Sequence, residues 1–246
     1  GVAEPAIQQA GERQISVALP AVKNLGQAID QVGTVAQLAF YDWEVNVIGP
    51  NGQPAPTDPS VTGGPEAGRG PGALSLYDAV LRASKRPAKI EANNSHESSV
   101  FYAVDPKTKK VYRPGKDPNG LAAENTRAEA LANIKDPALR EQAKVYEVKP
   151  DTVIVRAEQP DGATTKSDHW YVLKDDIALR GQELKNPEQS SDTRTSEPIV
   201  TFQFTKKGRE IWQDVTRRIS QRGSESFGIV TGQRPEDAFQ HFAIVL

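Results

Sequence analysis

The sequence predicts an α+β fold: an incomplete ferredoxin-like base of strand, helix and strand, and a mixed α/β head with mainly antiparallel strands. Three observations point there. Over Glu197–Gly223 the hydrophobic period changes from that of a strand to that of a helix. Residues 13–46 read as strand, helix and strand, which is half of a βαββαβ unit. The stretch between them holds short β-branched and aromatic runs separated by Pro, Gly, Asp and Asn.

Residues 1–12 show no periodicity and are expected to form a flexible arm. Ile15, Val17 and Leu19 alternate with Ser16 and Ala18 as the first base strand, and Pro20 suits a turn or a first helical position. Val22, Leu25, Ile29 and Val32 then space as one helix face, Gly33 ends it, and Val35–Val45 reads as a longer strand. Residues 47–72 are expected to be a flexible excursion, because about half of Pro50–Gly72 is Pro or Gly and supports neither a helix nor a ladder.

The head, residues 73–246, resumes with a helix over Ser75–Ser84, capped by Ser75 or Gly72. Val100–Val104 and Val111–Arg113 form a hairpin around Asp105-Pro-Lys-Thr-Lys, and Asp117-Pro-Asn-Gly is a turn. Ala122–Ile134 reads as helix, Pro137 interrupts it, and a short helix follows over Ala138–Ala143. Tyr146–Val148, Val153–Val155 and Trp170–Leu173 read as strands, with Gln159-Pro-Asp-Gly as a turn. Lys185–Ser196 is a polar stretch leading into the last unit. There Val200, Phe202 and Phe204 alternate with Thr201 and Gln203, and the Thr205 hydroxyl is placed to cap the helix that follows. Ile211, Trp212, Val215 and Ile219 form its apolar stripe, leaving Arg209, Asp214, Arg217 and Arg218 to solvent. Gly223 sits where the helix is expected to stop, and Phe242–Leu246 returns as a strand.

A chain of 246 residues with 37% apolar content and a mean hydropathy of −0.56 is polar but long enough to bury a sizeable core. No apolar run is long enough to span a bilayer, and no signal-peptide pattern is present. The absence of methionine predicts an excised segment or a processed chain. Without cysteine there are no disulfides, no thiol catalysis and no thiolate metal sites. A net charge of −2 offers no general attraction to nucleic acid or to anionic lipid, and no nucleic-acid partner is expected. Lys107–Lys116 is locally basic and reads as a solvated hairpin or, alternatively, as a phosphate or lipid contact.

Candidate chemistry is sparse. His96, His169 and His241 lie far apart and show no H-x-x-x-H or H-E-x-x-H pairing, so they read as structural or surface residues and no metal site is assigned. His96-Glu-Ser-Ser lacks a G-x-S-x-G elbow. No G-x-x-x-x-G-K-[ST] loop occurs, and no nucleotide or other cofactor is expected. Asp175, Asp176 and Glu183 invite a paired-carboxylate reading, but a loop holding Asp175 and Asp176 as two solvated charges accounts for them better. Trp212 and Phe227 suit a peptide-binding surface or, for Trp212, more simply the core. Asn93-x-Ser95 carries no functional assignment.

Particular residues narrow the reading. Pro198 opening the last unit, Phe202-x-Phe204-Thr205 closing its strand, and Gly208 and Thr216 in its helix resemble the SecD family. His241-Phe-Ala-Ile-Val-Leu is similar to the FAIVLD-type strand that follows in those proteins, and Leu179, Gly181 and Leu184 match the L-x-G-x-x-I/L element that precedes them. Arg13–Pro20 and Ala36–Tyr41 resemble the family's first two strands. The resemblance covers roughly residues 8–45 and 173–246 and leaves the middle unmatched. It implies the first large extracytoplasmic (periplasmic) domain of a bacterial membrane protein, reaching the membrane only through transmembrane helices absent from this sequence. In that family a helix and strand after this segment complete the ferredoxin-like unit.

The function so implied is assistance to the late, proton-driven stage of export. The implied partners are unfolded preproteins, with SecF and SecYEG engaged through the full-length protein. The eight motif residues would be structural and none catalytic. A hinge is expected near Asn46–Pro50. The alternatives are a stand-alone extracellular polypeptide- or carbohydrate-binding module, and a cell-envelope hydrolase, which would need a nucleophile and base in contact.

Overall fold

The computed structural model describes residues 7–9, 14–18, 38–49, 74–86, 98–112, 123–156, 169–191, 198–227 and 240–245. The helix expected over Val22–Val32, the Pro/Gly stretch, the Asp117 and Gln159 turns, Asn93 and His96 lie outside these residues. In chain order the structure holds β1 (Ile7–Gln9), β2 (Gln14–Ala18), β3 (Ala39–Asp42), the helical turn α1 (Trp43–Asn46) and α2 (Leu76–Ser84). These are followed by β4 (Val100–Asp105), β5 (Lys110–Tyr112), α3 (Arg127–Ala132), α4 (Pro137–Gln142), β6 (Lys144–Val148), β7 (Thr152–Arg156) and β8 (Trp170–Lys174). Then come β9 (Leu179–Arg180), a 3₁₀ turn (Gly181–Glu183), β10 (Leu184–Ser191), β11 (Pro198–Phe204), α5 (Lys206–Ser226) and β12 (Phe242–Val245).

The architecture is α+β, and every strand pairing is antiparallel. The sheets run β1-β2-β11-β10, β12-β3-β9, β5-β4-β6 and β7-β8. Among the described residues β2 and β3 do not pair with each other. β2 pairs with β11 while β3 pairs with β12, so the two ends of the chain interleave in two sheets. The physical reason is a shared core: Leu38 and Phe40 from one end bury with Leu179, Leu184, Phe202 and Phe204 from the other. A second cluster belongs to the middle of the chain, where α2 lays Leu76, Ala79, Val80 and Ala83 against Tyr102, Val104, Val148 and Ile154.

Several boundaries differ from the sequence reading. Within the stretch expected to be an arm, Ile7–Gln9 pairs with β2, because main-chain pairing needs no hydrophobic alternation. The long strand over Val35–Val45 ends at Asp42. Asn46 Nδ2 donates to the Asp42 carbonyl at 2.8 Å and closes a helical turn, while Glu44 is drawn inside. The polar stretch after Leu184 forms β10, with a register break between Lys185 and Glu188 where Asn186 adopts φ 51°. Helix α5 continues through Gly223 to Ser226, and the Gly223 carbonyl accepts the Phe227 N–H at 3.1 Å. Helix over Ala122–Ile134 is confined to α3, capped by Thr126, because Glu124 bridges to Phe101 as a strand. Pro137 occupies the first turn of α4, where its missing N–H costs nothing. The start of the expected hinge, Asn46–Pro50, packs into the core. Asn46, Val47 and Ile48 are buried, Val47 bridges to Leu173, and Ile48 N–H donates to the Val172 carbonyl at 2.9 Å.

Candidate functional site

The motif residues meet where β11 turns into α5. Phe202 and Phe204 point inward and are 5% and 4% exposed, as alternation required. Trp212, the second residue of the stripe, stacks on Phe204 with ring centroids 5.4 Å apart. It also meets Phe40 and Phe242 edge-on at 5.8 and 5.2 Å. Such contacts add about 0.5–1.5 kcal/mol each beyond area burial. Trp212 is therefore a core residue, while Phe227 stands exposed at the helix end. Leu179, Gly181 and Leu184 are buried beneath this aromatic group, and Gly181 N–H donates to the Leu38 carbonyl at 2.7 Å.

Around the helix start the fit is tight. The Thr205 hydroxyl accepts the Gly208 N–H at 2.9 Å and donates to Glu183 Oε2 at 2.6 Å, while Thr205 N–H reaches the Glu183 carbonyl at 2.9 Å. The 3₁₀ turn thereby docks on the helix N-terminus. A Cβ at position 208 would lie 2.5 Å from the Glu183 carbonyl oxygen, so only glycine fits. The Thr205 hydroxyl, assisted by Lys207 Nζ at 3.4 Å, holds the Glu183 carboxyl below the usual glutamate range. Thr216 bonds back to the Trp212 carbonyl at 2.8 Å, and Pro198 opens β11 opposite Ser191.

At the other end of α5 the structure assembles a charged group that no spacing announced. Arg222 grips Asp42 with two nitrogens, one at 3.0 Å, and sends Nε to Gln240 Oε1 at 2.7 Å. Glu44, whose side chain is 2% exposed, accepts the His241 backbone N–H and contacts His241 Nδ1 at 2.7 Å. Asp42 and Glu44 come from β3 and α1, and Arg222, Gln240 and His241 from the far end of the chain, so these contacts clasp both ends together. The available signal was two carboxylates inside the apolar run Phe40-Tyr-Asp-Trp-Glu-Val, since a charge in a buried pattern implies a partner.

The remaining candidates do not converge. Asp175 is fully buried and accepts the Tyr41 hydroxyl at 2.7 Å, which corrects the reading of Asp175 and Asp176 as two solvated charges. Burial, and then the Asp175 charge, push the Tyr41 hydroxyl pKa well up. Asp176 is half-exposed beside Lys174. His169 and His241 sit on separate elements, and among the described residues no group of His, Asp or Glu could hold a metal ion.

In the middle of the chain, β6 pairs with β4 on one side and has no strand on its other side among the described residues. Along it Lys144 and Glu147 are exposed, Val145 and Tyr146 half-buried and Val148 buried.

The model for the protein translocase subunit SecDF P1 domain, N-terminal, matches residues 1–44. The model for the SecDF P1 head subdomain matches residues 155–246, and together the two cover more than half of the chain. No curated protein and no solved structure matches it significantly.

Proposed function

The chain belongs to the SecDF P1-domain family, an extracytoplasmic part of a membrane-bound protein-translocation component, and on that premise we propose that it holds emerging unfolded preprotein during late export. SecYEG delivers the segment, SecF acts beside the full-length protein, and the proton-motive force moves the domain through membrane parts outside this sequence. No residue here is assigned a catalytic role.

The observation that carries the reading is the edge of β6 on which no strand lies among the described residues. A translocation partner must hold many unrelated sequences and release each, so its contacts have to be indifferent to side-chain identity. An extended chain added to a sheet edge meets that need, because main-chain hydrogen bonds supply affinity without sequence readout. A folded preprotein has its backbone groups already paired and offers nothing to such an edge. The clasp and the shared aromatic core support movement of the domain as a unit, since they tie both ends of the chain together.

The test is an NMR titration with one secretory protein in unfolded and folded forms. The unfolded form is expected to shift the Lys144–Val148 amides with micromolar or weaker affinity, and the folded form to leave them in place. Equal shifts with both forms, or none with either, would remove preprotein capture at this edge.

A further inference from the structure

We propose that the tip of the β4–β5 hairpin is an electrostatic docking surface for anionic lipid headgroups. The tip is the turn Pro106–Lys109, from which Lys107, Lys109 and Lys110 project into solvent. Register places Lys110 opposite Asp105 and Lys144 opposite Val104, so a fourth exposed ammonium stands at the same end of the sheet. Among the described residues none of the four lies within ion-pair distance of a carboxylate. Basic side chains that do pair lie elsewhere, among them Lys174 with Asp176, Lys207 with Glu183, Arg217 and Arg218 with Asp214, and Arg222 with Asp42. Lys107 Nζ reaches only Gln142 at 3.1 Å, and Lys110 lies over the Tyr112 ring.

Two carboxylates near this end bond to their own turns. Asp105 accepts the Lys107 N–H at 2.8 Å and the Thr108 hydroxyl at 2.7 Å, and Asp136 accepts the Ala138 N–H at 2.8 Å. Lys109 has φ 57°, a left-handed position where glycine or asparagine would be less strained. A lysine kept there adds a charge at a conformational cost.

The shape selects the partner. The tip is a projecting turn, with no set of converging donors that would suit a single phosphate. Its exposed residues, Lys107, Thr108 and Lys109, include no aromatic or aliphatic anchor of the kind polypeptide interfaces rely on. A layer of anionic headgroups needs only charge at close range. The whole chain carries −2, so attraction to such a surface has to come from a local patch.

The test uses the 246-residue chain, sedimented with vesicles of phosphatidylcholine alone or mixed with phosphatidylglycerol. Binding is expected to the mixed vesicles only and to weaken as salt rises. The variant K107Q/K109Q/K110Q is expected to bind on the order of a hundredfold less, at about fivefold per lysine. K85Q/K185Q/K206Q, with the same charge change at other exposed positions, is expected to bind as wild type. Thermal melts of both variants establish that they fold. No binding to the mixed vesicles at low salt, or equal losses in the two variants, would overturn the proposal. So would binding of a polyglutamate peptide in place of vesicles. The measurement involves no preprotein and stands or falls apart from capture at β6.

Discussion

Replacing Gly208 by alanine tests the junction that organises the core. In an open helical position the change would stabilise the helix by up to about 1 kcal/mol. Here the added Cβ would stand 2.5 Å from the Glu183 carbonyl oxygen, 3.0 Å from Glu183 Cβ and 3.3 Å from Thr205 Oγ1. The first contact is with backbone, and that carbonyl accepts the Thr205 N–H at 2.9 Å, so the turn cannot withdraw without stretching its own hydrogen bond. Overpacking of this kind costs about 1–3 kcal/mol, and weakening the hydrogen bond about 1 kcal/mol more. The propensity gain offsets only part, leaving a net loss of about 1–3 kcal/mol. For a chain of this size that lowers Tm by several degrees, at roughly 2–4 °C per kcal/mol. Urea and thermal melts of wild type and Gly208→Ala measure it directly. A variant as stable as wild type, or more so, would refute the contact and the explanation of why glycine stands there.

Phe204→Ala should cost about 3–5 kcal/mol while Gln203→Ala stays within roughly half a kcal/mol, and equal urea midpoints would mean that the strand faces are assigned wrongly. Arg222→Ala should cost about 2–4 kcal/mol, because it leaves the Asp42 and Glu44 carboxylates without their guanidinium, and Arg222→Lys should recover only part because it cannot grip Asp42 with two nitrogens. Glu183 gives a pH test. Its folded pKa lies below its unfolded value of about 4.3, so its contribution is fully present above that value and is lost as pH falls through the folded one. Melts from neutral to acid pH should show Glu183→Gln with less acid loss than wild type, and parallel curves would show that the Thr205 contact does not hold the charge.

Much of the local structure was legible. The Thr201–Phe204 alternation, the Thr205 cap and the stripe through Trp212 all stand where periodicity put them, because each depends on residues a few positions apart. The Ser75 cap, the Asp105 turn and the β7–β8 pair were legible for the same reason. The placement of Asp175 was not. Beside Asp176 it reads as a solvated acid, and only Tyr41, 134 positions away, explains how a carboxylate sits fully buried.

By itself, then, the sequence determined where α2 and α5 start, which faces of β11 and α5 turn inward, the α+β class and, through motif residues in order, the family. The tertiary structure alone decided that β2 and β3 part into two sheets, that polar Lys185–Ser191 is a strand, and that Asp42, Glu44, Arg222 and His241 form one clasp. The division has a physical cause. Periodicity and capping are short-range and leave their mark in adjacent residues. Main-chain pairing of an edge strand uses groups that every residue carries, and a buried charge is tolerated only when folding brings its partner across the chain.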